Sequence, residues 1–279
     1  MISLILTILL TVVLFICFKE FSKRNINTHQ AITFNYLTAS LLAFIFYEKS
    51  ISFIEIINSS WIFPTIALGV FFIIMFNVMA KTTQRLGISI ASMASKISLI
   101  IPVIGALLLQ ENNISYTKGL GILIAIIAIY LAFKKKQNSN QSIYIAIILF
   151  FGTGILDMCL DYIQHNLLKN NNQSSQFIIV VFFIAFIAGL IKIILSKEKI
   201  KSRNIIAGIF LGIPNYLSIY YVLISLEKLG GVIVFPILNI SVVLLSTILS
   251  FFVYKEYLNT LNWTGIILAC ISIILILVF

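Results

Sequence analysis

Ten apolar segments, each about as long as a membrane span, dominate the chain. They cover residues 2–21, 29–48, 60–81, 88–110, 115–133, 143–166, 175–196, 202–226, 230–254 and 261–279. A helix needs about 20 predominantly apolar residues to cross the hydrocarbon core of a bilayer. Because backbone polar groups in lipid must be bonded within the segment, continuous runs of this kind indicate helices. We therefore predict an all-α membrane protein with ten transmembrane helices.

The composition agrees with a bilayer as the solvent. Hydrophobic residues make up 61% of the 279 residues and charged residues only 10%, which leaves too little polar surface for a soluble protein. The net charge of +10 is explained by Lys and Arg in cytoplasmic loops, so no nucleic-acid partner is expected. The N-terminal apolar segment has no basic region before it and no small-residue cleavage site after it, and is predicted to be a first span.

An internal repeat relates the two halves of the chain. Three matches are each separated by 143 residues: Gly69 with Gly212, Arg85-Leu86-Gly87 with Lys228-Leu229-Gly230, and Lys96-Ile97-Ser98 with Asn239-Ile240-Ser241. Five spans precede the polar linker and five follow it, so the second copy enters the membrane from the opposite face, as in many secondary transporters. We predict two inverted five-helix repeats, over 1–133 and 143–279, joined by a basic linker over 134–142.

The distribution of Lys and Arg predicts the orientation. The odd-numbered loops hold fourteen of these residues and the even-numbered loops hold four, with Lys96 set aside as intramembrane. Cytoplasmic loops carry the excess of positive charge. We therefore predict cytoplasmic odd-numbered loops, with both termini outside. The expected location is a bacterial plasma (inner) membrane, which the chain crosses several times as a monomer or homodimer.

Lys96 is the strongest single signal for a site. It lies about eight residues into the fourth span, roughly 12 Å deep, where a lysine is costly unless it faces a cavity or a partner. Ser92 precedes it by one turn, and Asn239 is its repeat partner. One interpretation places these residues in an aqueous cavity that binds substrate. The alternatives are snorkelling or a static ion pair for Lys96, and a packing hydrogen bond for Asn239.

Asp157 and Asp161 are predicted coupling residues. They lie one turn apart on the sixth span, and His165 follows one turn later. Repulsion between two ionised carboxylates in a low dielectric favours keeping one of them protonated, as a proton-coupled carrier requires. Asp157 is expected to be the deepest carboxyl group. The alternatives are a static pair of Asp157 with Lys96, and a place in the wet interface for Asp161 and His165.

Four further polar residues are predicted to line the cavity. Asn77 in the third span and Tyr220 in the eighth are repeat partners, and Asn215 and Tyr216 lie nearby in sequence. Amide and phenol groups suit a wall that binds a small polar or aromatic solute. Interhelical packing and an interfacial tyrosine belt explain them equally well.

Prolines and terminal acids mark the ends and bends of the spans. Pro102, Pro214 and Pro236 can kink helices and free carbonyl groups toward a cavity. Glu111 and Glu256 close the fourth and ninth spans, and we expect them to fix helix ends.

Motifs of soluble enzymes are absent. The patterns GxxxxGK[ST], GxSxG and HExxH do not occur. The three cysteines lack CxxC or Cys/His spacing, and two histidines cannot build a typical multi-histidine metal site. We therefore expect no enzyme activity, no catalytic residues, no cofactor and no metal.

Two features resemble the drug/metabolite transporter superfamily of the EamA type. One is a Leu-Gly step after the third span of each repeat, at Leu86-Gly87 and Leu229-Gly230. The other is an acid that closes a span and is followed by Gly in the next helix, seen as Glu111 with Gly119 and Glu256 with Gly265. With the ten-helix pattern, the resemblance covers nearly the whole chain. The chain departs from it at Asn35-Tyr36, where the family often has arginine, and at Lys96.

The resemblance implies secondary transport or export of small metabolites by alternating access. Members handle amino acids, sugar derivatives and nucleotide-sugars. The expected function is therefore a secondary transporter of a small polar metabolite such as an amino acid, with a central cavity between the repeats and proton coupling as a further hypothesis. The alternatives are efflux of lipophilic drugs or cations, a lipid flippase, and a polytopic membrane enzyme. The expected partners are a small-molecule substrate and the lipid bilayer.

Overall fold

The computed structural model describes residues 1–47, 53–109, 116–133, 140–168, 171–256 and 258–277. These residues are almost entirely helical and contain no strand, which confirms the predicted all-α class. Glu111 and most of the predicted linker, residues 134–139, lie outside the described ranges. The helices are α1 (Ile2–Lys23), α2 (Thr28–Ile45), α3 (Phe53–Ile57), α4 (Ile62–Leu86), α5 (Ile88–Ile97), α6 (Ile100–Leu109), α7 (Tyr116–Phe133), α8 (Asn140–Asn166), α9 (Asn171–Leu195), α10 (Ser202–Leu229), α11 (Gly231–Phe252) and α12 (Thr260–Leu277).

Several of these helices are suited to a bilayer. Within the described ranges, seven segments are long and apolar enough to cross a membrane, and two further apolar helices are shorter. The seven are Ile2–Lys23, Ile62–Leu86, Ile88–Gly105, Ile143–Gln164, Gln173–Leu195, Ser202–Leu229 and Ile233–Phe252. The length and apolar character of these helices indicate an integral, multi-pass membrane protein. Ten spans and inverted repeats stay predictions.

The helices form two compact units that each combine distant parts of the sequence. The first unit contains Met1–Lys19, Val78–Ile155 and Ser218–Phe279, and the second contains Glu20–Asn77 and Leu156–Leu217. Each unit therefore draws helices from both halves of the chain. The predicted repeats are consecutive stretches of sequence and are a different division of the molecule.

In the first unit, α7 and α12 pack closely and antiparallel. The Ser272 hydroxyl on α12 donates to the Gly121 carbonyl on α7 at 2.9 Å. A Cβ atom on Gly121 would lie 2.8 Å from Cγ1 of Ile276, so only glycine permits this approach. The start of α7 therefore meets the end of α12.

In the second unit, a GxxxG pattern on α10 brings its backbone against α2. A Cβ atom on Gly208 would lie 2.6 Å from the Ala31 carbonyl oxygen, and one on Gly212 would lie 2.8 Å from the Asn35 carbonyl oxygen. Small residues at this spacing permit close helix contact in a membrane protein. Because the contacts advance by four residues on both helices, α2 and α10 run parallel.

Helix α9 packs on α2 in the opposite direction. The Ser40 hydroxyl on α2 donates to the Ile179 carbonyl on α9 at 3.0 Å. The Tyr36 ring lies 5.8 Å from the Phe182 ring, and its hydroxyl donates to the Phe72 carbonyl at 3.1 Å. This buried tyrosine thus joins α2, α4 and α9 with its polar group satisfied.

Candidate functional site

A seam of hydroxyl groups joins α5 to α11 in the first unit. Ser89 and Thr247 are hydrogen-bonded at 2.9 Å, and Ser246 donates to the Ser92 hydroxyl at 2.5 Å. All four residues are buried. The Ile88 N–H, at the start of α5, is bonded to Glu256, just beyond the end of α11, so the two helices are antiparallel. Ser92, a predicted cavity residue, is therefore engaged in helix packing at this seam.

The helix of the predicted fourth span is interrupted two residues after Lys96. Helix α5 ends at Ile97 and α6 begins at Ile100, with Ser98 and Leu99 in a turn. Pro102 has no N–H to donate to the Ser98 carbonyl, and Ile101 N–H reaches that carbonyl at 2.9 Å instead. The segment Ile88–Gly105 is still long and apolar enough to cross a membrane, and the break agrees with the prediction that Pro102 can kink its helix. A proline four residues after Ser98 is the physical reason.

The interruption gives Lys96 a distinctive environment. Lys96 is half-buried in the last turn of α5. The last carbonyl groups of a helix lack intrahelical donors, and their partial negative charge favours a cation nearby. An ammonium group and carbonyl groups beside a break in a span are the elements from which transporters build solute sites.

Asn239 lies on α11 about level with this break. It is seven residues before Ser246, and Leu99 is seven residues after Ser92. Since the helices are antiparallel, both positions lie about 10 Å from the Ser92–Ser246 bond, in the same direction. Asn239 is buried and follows Pro236, which lies inside α11. The structure thus brings Lys96, Ser92 and Asn239 onto one pair of facing helices.

Glu256 fixes the N-terminus of α5. Its carboxylate oxygens accept from the Ile88 N–H at 3.0 and 3.3 Å, and Lys19 Nζ lies 2.7 Å away. The Ser250 hydroxyl also donates to it. A carboxylate at a helix N-terminus satisfies unpaired N–H groups and complements the helix dipole. The prediction that Glu256 fixes a helix end is confirmed.

Gly87 makes room for this carboxylate. It precedes α5 with φ 102° and ψ 165°, a conformation that is essentially restricted to glycine. A Cβ atom there would lie 2.6 Å from the Glu256 carboxyl carbon. The glycine of the Leu86-Gly87 step is therefore required by the backbone conformation and by the contact with Glu256.

In the second unit, the predicted Asn77 contacts a histidine. Its Oδ1 accepts from His29 Nδ1 at 3.3 Å, and its Nδ2 donates to the Ile73 carbonyl at 2.7 Å. Asn215 and Tyr216 are buried on α10, immediately after Pro214. These three predicted residues belong to the same unit.

Asn35 is a polar residue that sequence reasoning did not assign to the site. Its side chain is fully buried in α2, and neither amide atom has a hydrogen-bond partner among the described residues. A buried amide without partners is costly and calls for an explanation. Its position beside Tyr36, where the resembled family often has arginine, was the available signal.

The two predicted coupling residues are exposed. Asp157 and Asp161 both lie on the surface of α8, in the second unit. A carboxylate at membrane depth that faced lipid would cost several kcal/mol, so the exposed Asp157 favours a hydrated surface. Tyr220, in the first unit, is 37% exposed and packs edge-on against Tyr221 with ring centroids 5.4 Å apart.

The predicted site residues divide between the two units. The first unit holds Ser92, Lys96, Tyr220 and Asn239, and the second holds Asn77, Asp157, Asp161, Asn215 and Tyr216. Across the ranges that the structure describes, no group of three His, Cys, Asp or Glu side chains could hold a metal ion. The α5–α11 seam with the break after Lys96 is therefore the strongest candidate site within one unit.

Comparison with known proteins finds a similar protein, but its description names no activity. No family model matches the chain. A protein of Haemophilus influenzae, described as uncharacterized, is 28% identical over 282 residues. The match covers 97% of this chain and 96% of the relative. The similarity therefore extends over nearly the full length of both proteins.

Proposed function

We propose that this protein is a secondary transporter that moves a small polar metabolite across the membrane by alternating access, with an amino acid as the first candidate. The observation that carries the proposal is the break in the membrane-spanning segment directly after Lys96. A lysine and a helix break at this depth are both costly in lipid. Binding of a solute is a use that accounts for the two together.

The chemistry of the break suits a zwitterionic solute. The Lys96 ammonium would pair with a carboxylate, while carbonyl groups at the end of α5 would accept from an α-ammonium group. The Asn239 amide, about level with the break, can donate and accept. The buried hydroxyl pairs of the seam hold α5 and α11 in register on one side of this position.

Ligand-dependent thermal unfolding tests this site. We expect one class of amino acid to raise the unfolding temperature of the purified protein, because binding at a hundredfold excess over Kd stabilises by about 2.7 kcal/mol. Lys96→Ala should abolish the shift. The matched control is Lys81→Ala, which removes an exposed lysine of α4 and should preserve it. A shift that survives in Lys96→Ala would rule out the proposed site.

Proton coupling through Asp157 is a separate part of the proposal. Asp157 and Asp161 are carboxylates one turn apart on α8, and intramembrane carboxylates serve as proton relays in transporters. In proteoliposomes with an imposed pH gradient, Asp157→Asn should abolish gradient-driven flux and preserve exchange without a gradient. Gradient-driven flux that persists in Asp157→Asn would remove the proton role.

The same exposed carboxylates favour a second candidate, efflux of lipophilic cations. They lie among exposed apolar side chains of α8, including Met158 at 36% and Tyr162 at 57% exposure. A cationic amphiphile could use both features. Stabilisation by tetraphenylphosphonium, lost in Asp157→Asn but kept in Lys96→Ala, would select this alternative.

We further propose ten spans in two inverted repeats, within a bacterial inner membrane and with the odd-numbered loops cytoplasmic. The pairings of α2 with α9, α5 with α11 and α7 with α12 support this topology, because each joins a predicted span to its repeat partner in antiparallel orientation. Membership of the drug/metabolite transporter superfamily belongs to the same proposal. Labelling of Lys199→Cys and Lys228→Cys from either side of the membrane tests the orientation.

A further inference from the structure

Two segments of the second unit bring six basic side chains to one surface. Lys23 and Arg24 lie at the end of α1, Lys197, Lys199 and Lys201 lie between α9 and α10, and Arg203 lies in the first turn of α10. All six are exposed. We call this set the basic surface.

Hydrogen bonds of buried side-chain amides hold the two segments together. Asn204 Nδ2 donates to Gln30 Oε1 at 2.7 Å, and Gln30 Nε2 donates to the Lys199 carbonyl at 3.1 Å. Both amide side chains are 2% exposed. In addition, the Arg203 guanidinium donates to the Arg24 carbonyl. The two segments that carry the cations are therefore held next to each other by the fold.

Nearby carboxylates do not balance these charges. Glu20 pairs with Lys23 at 3.6 Å and with Arg24 at 3.3 Å. Glu198 accepts a hydrogen bond from Asn27 Nδ2 at 2.8 Å. This neutral partner holds the Glu198 side chain in the loop. Six cations thus face two acids, and the surface keeps an excess of positive charge.

The basic surface lies where three candidate membrane spans end. These are Ile2–Lys23, Gln173–Leu195 and Ser202–Leu229. Side chains immediately beyond such ends lie at the level of the lipid headgroups. Clusters of four to eight Lys and Arg in this position attract anionic lipids.

We propose that the basic surface binds the headgroup of an anionic phospholipid, with its phosphodiester placed between the α1–α2 turn and the α9–α10 segment. Lysine and arginine donate charge-assisted hydrogen bonds to phosphate oxygens. The hydrogen bonds between the two segments fix the backbone that carries these donors before the lipid binds. This reduces the conformational entropy lost on binding.

Titration of the purified full chain with fluorescent phosphatidylglycerol in neutral detergent tests the proposal. Each cation near an anionic lipid contributes about fivefold in affinity, so Lys199→Gln/Lys201→Gln should weaken binding about 25-fold. The matched control is Lys81→Gln/Arg85→Gln, which removes two exposed cations near the end of α4, outside the basic surface, and should change affinity less than about twofold.

Three results would overturn the proposal: an equal loss in the control, equal affinity for phosphatidylcholine, or full competition by millimolar inorganic phosphate. The unfolding temperature in detergent alone shows whether the variants fold. If the double variant does not fold, Lys197→Gln removes one exposed cation and should lower affinity about fivefold. Unchanged affinity in that variant contradicts the proposal.

Discussion

Replacing Gly87 by alanine should destabilise the first unit more than the same change at its repeat partner, Gly230. Both glycines have positive φ, 102° and 75°, and both precede a helix. A Cβ atom on Gly87 would lie 2.6 Å from the Glu256 carboxyl carbon, whereas one on Gly230 would meet no atom within 4 Å. The pair therefore separates backbone strain from displacement of the carboxylate.

The expected size follows from these two contributions. Backbone strain in this conformation costs about 1–3 kcal/mol at either position. At Gly87 the methyl group also displaces Glu256 from the Ile88 N–H, and hydrogen bonds to a charged group contribute about 1.5–3 kcal/mol. We expect Gly87→Ala to exceed Gly230→Ala by about 2 kcal/mol, equivalent to several degrees in unfolding temperature.

Thermal unfolding in detergent, monitored by tryptophan fluorescence, measures the difference. In a Glu256→Ala background no carboxylate remains to be displaced, so the cost of Gly87→Ala should fall to that of Gly230→Ala. This is a double-mutant cycle, in which the coupling isolates the contact between residues 87 and 256. Equal costs for the two glycines in the wild-type background, or an absence of coupling, would refute the reasoning.

For three further substitutions, the structure predicts whether the free energy of unfolding rises or falls. Asn35→Leu should raise the unfolding temperature by removing a buried amide without partners, a gain of about 1–3 kcal/mol, and a lower temperature would contradict this. Gly208→Leu should destabilise the second unit by more than about 2 kcal/mol, because its Cβ would lie 2.6 Å from the Ala31 carbonyl; unaltered unfolding would contradict the close α2–α10 contact. Lys19→Met should cost about 1–3 kcal/mol by leaving the largely buried Glu256 without its cation, and an unchanged unfolding temperature in Lys19→Met would argue against that pair.

Apolar segment length predicted the helices well, because a chain in lipid has few alternatives to helix. Apolar segment length alone did not indicate the break after Lys96. Hydropathy depends on apolar character and not on backbone hydrogen bonding, so it predicts one continuous span over residues 88–110. Pro102 was the local signal, but Pro214 and Pro236 lie inside unbroken helices. Which proline interrupts a helix is decided by packing that the sequence does not display.

The candidate site was predictable only in part. A repeat match and an intramembrane charge identified Lys96 and Asn239, and the structure places them on facing helices. Ser92 was identified by the same polar stripe, yet its hydroxyl bonds Ser246, a pairing that depends on tertiary structure. Asp157 was expected to be the deepest carboxyl group, and its depth stays a prediction. The structure shows that it is exposed, which a single carboxylate in an apolar run could not indicate.

The organisation of the units was also beyond the sequence. The internal repeat predicts two consecutive five-helix halves, and this stays a prediction. Each compact unit of the structure contains helices from both halves. The Gly208–Gly212 spacing is visible in the sequence, but nothing in it identifies α2 as the partner. Long-range pairings of this kind depend on side-chain fit between segments more than 150 residues apart.

Counterflow in proteoliposomes tests the central claim most directly. Vesicles containing the purified protein are loaded with unlabelled amino acids and diluted into a trace of ¹⁴C-labelled amino acids. A secondary transporter should accumulate label transiently above its equilibrium level, Lys96→Ala should abolish this overshoot, and Lys81→Ala should retain it. A wild-type time course equal to that of protein-free vesicles, or an overshoot that persists in Lys96→Ala, would contradict the account.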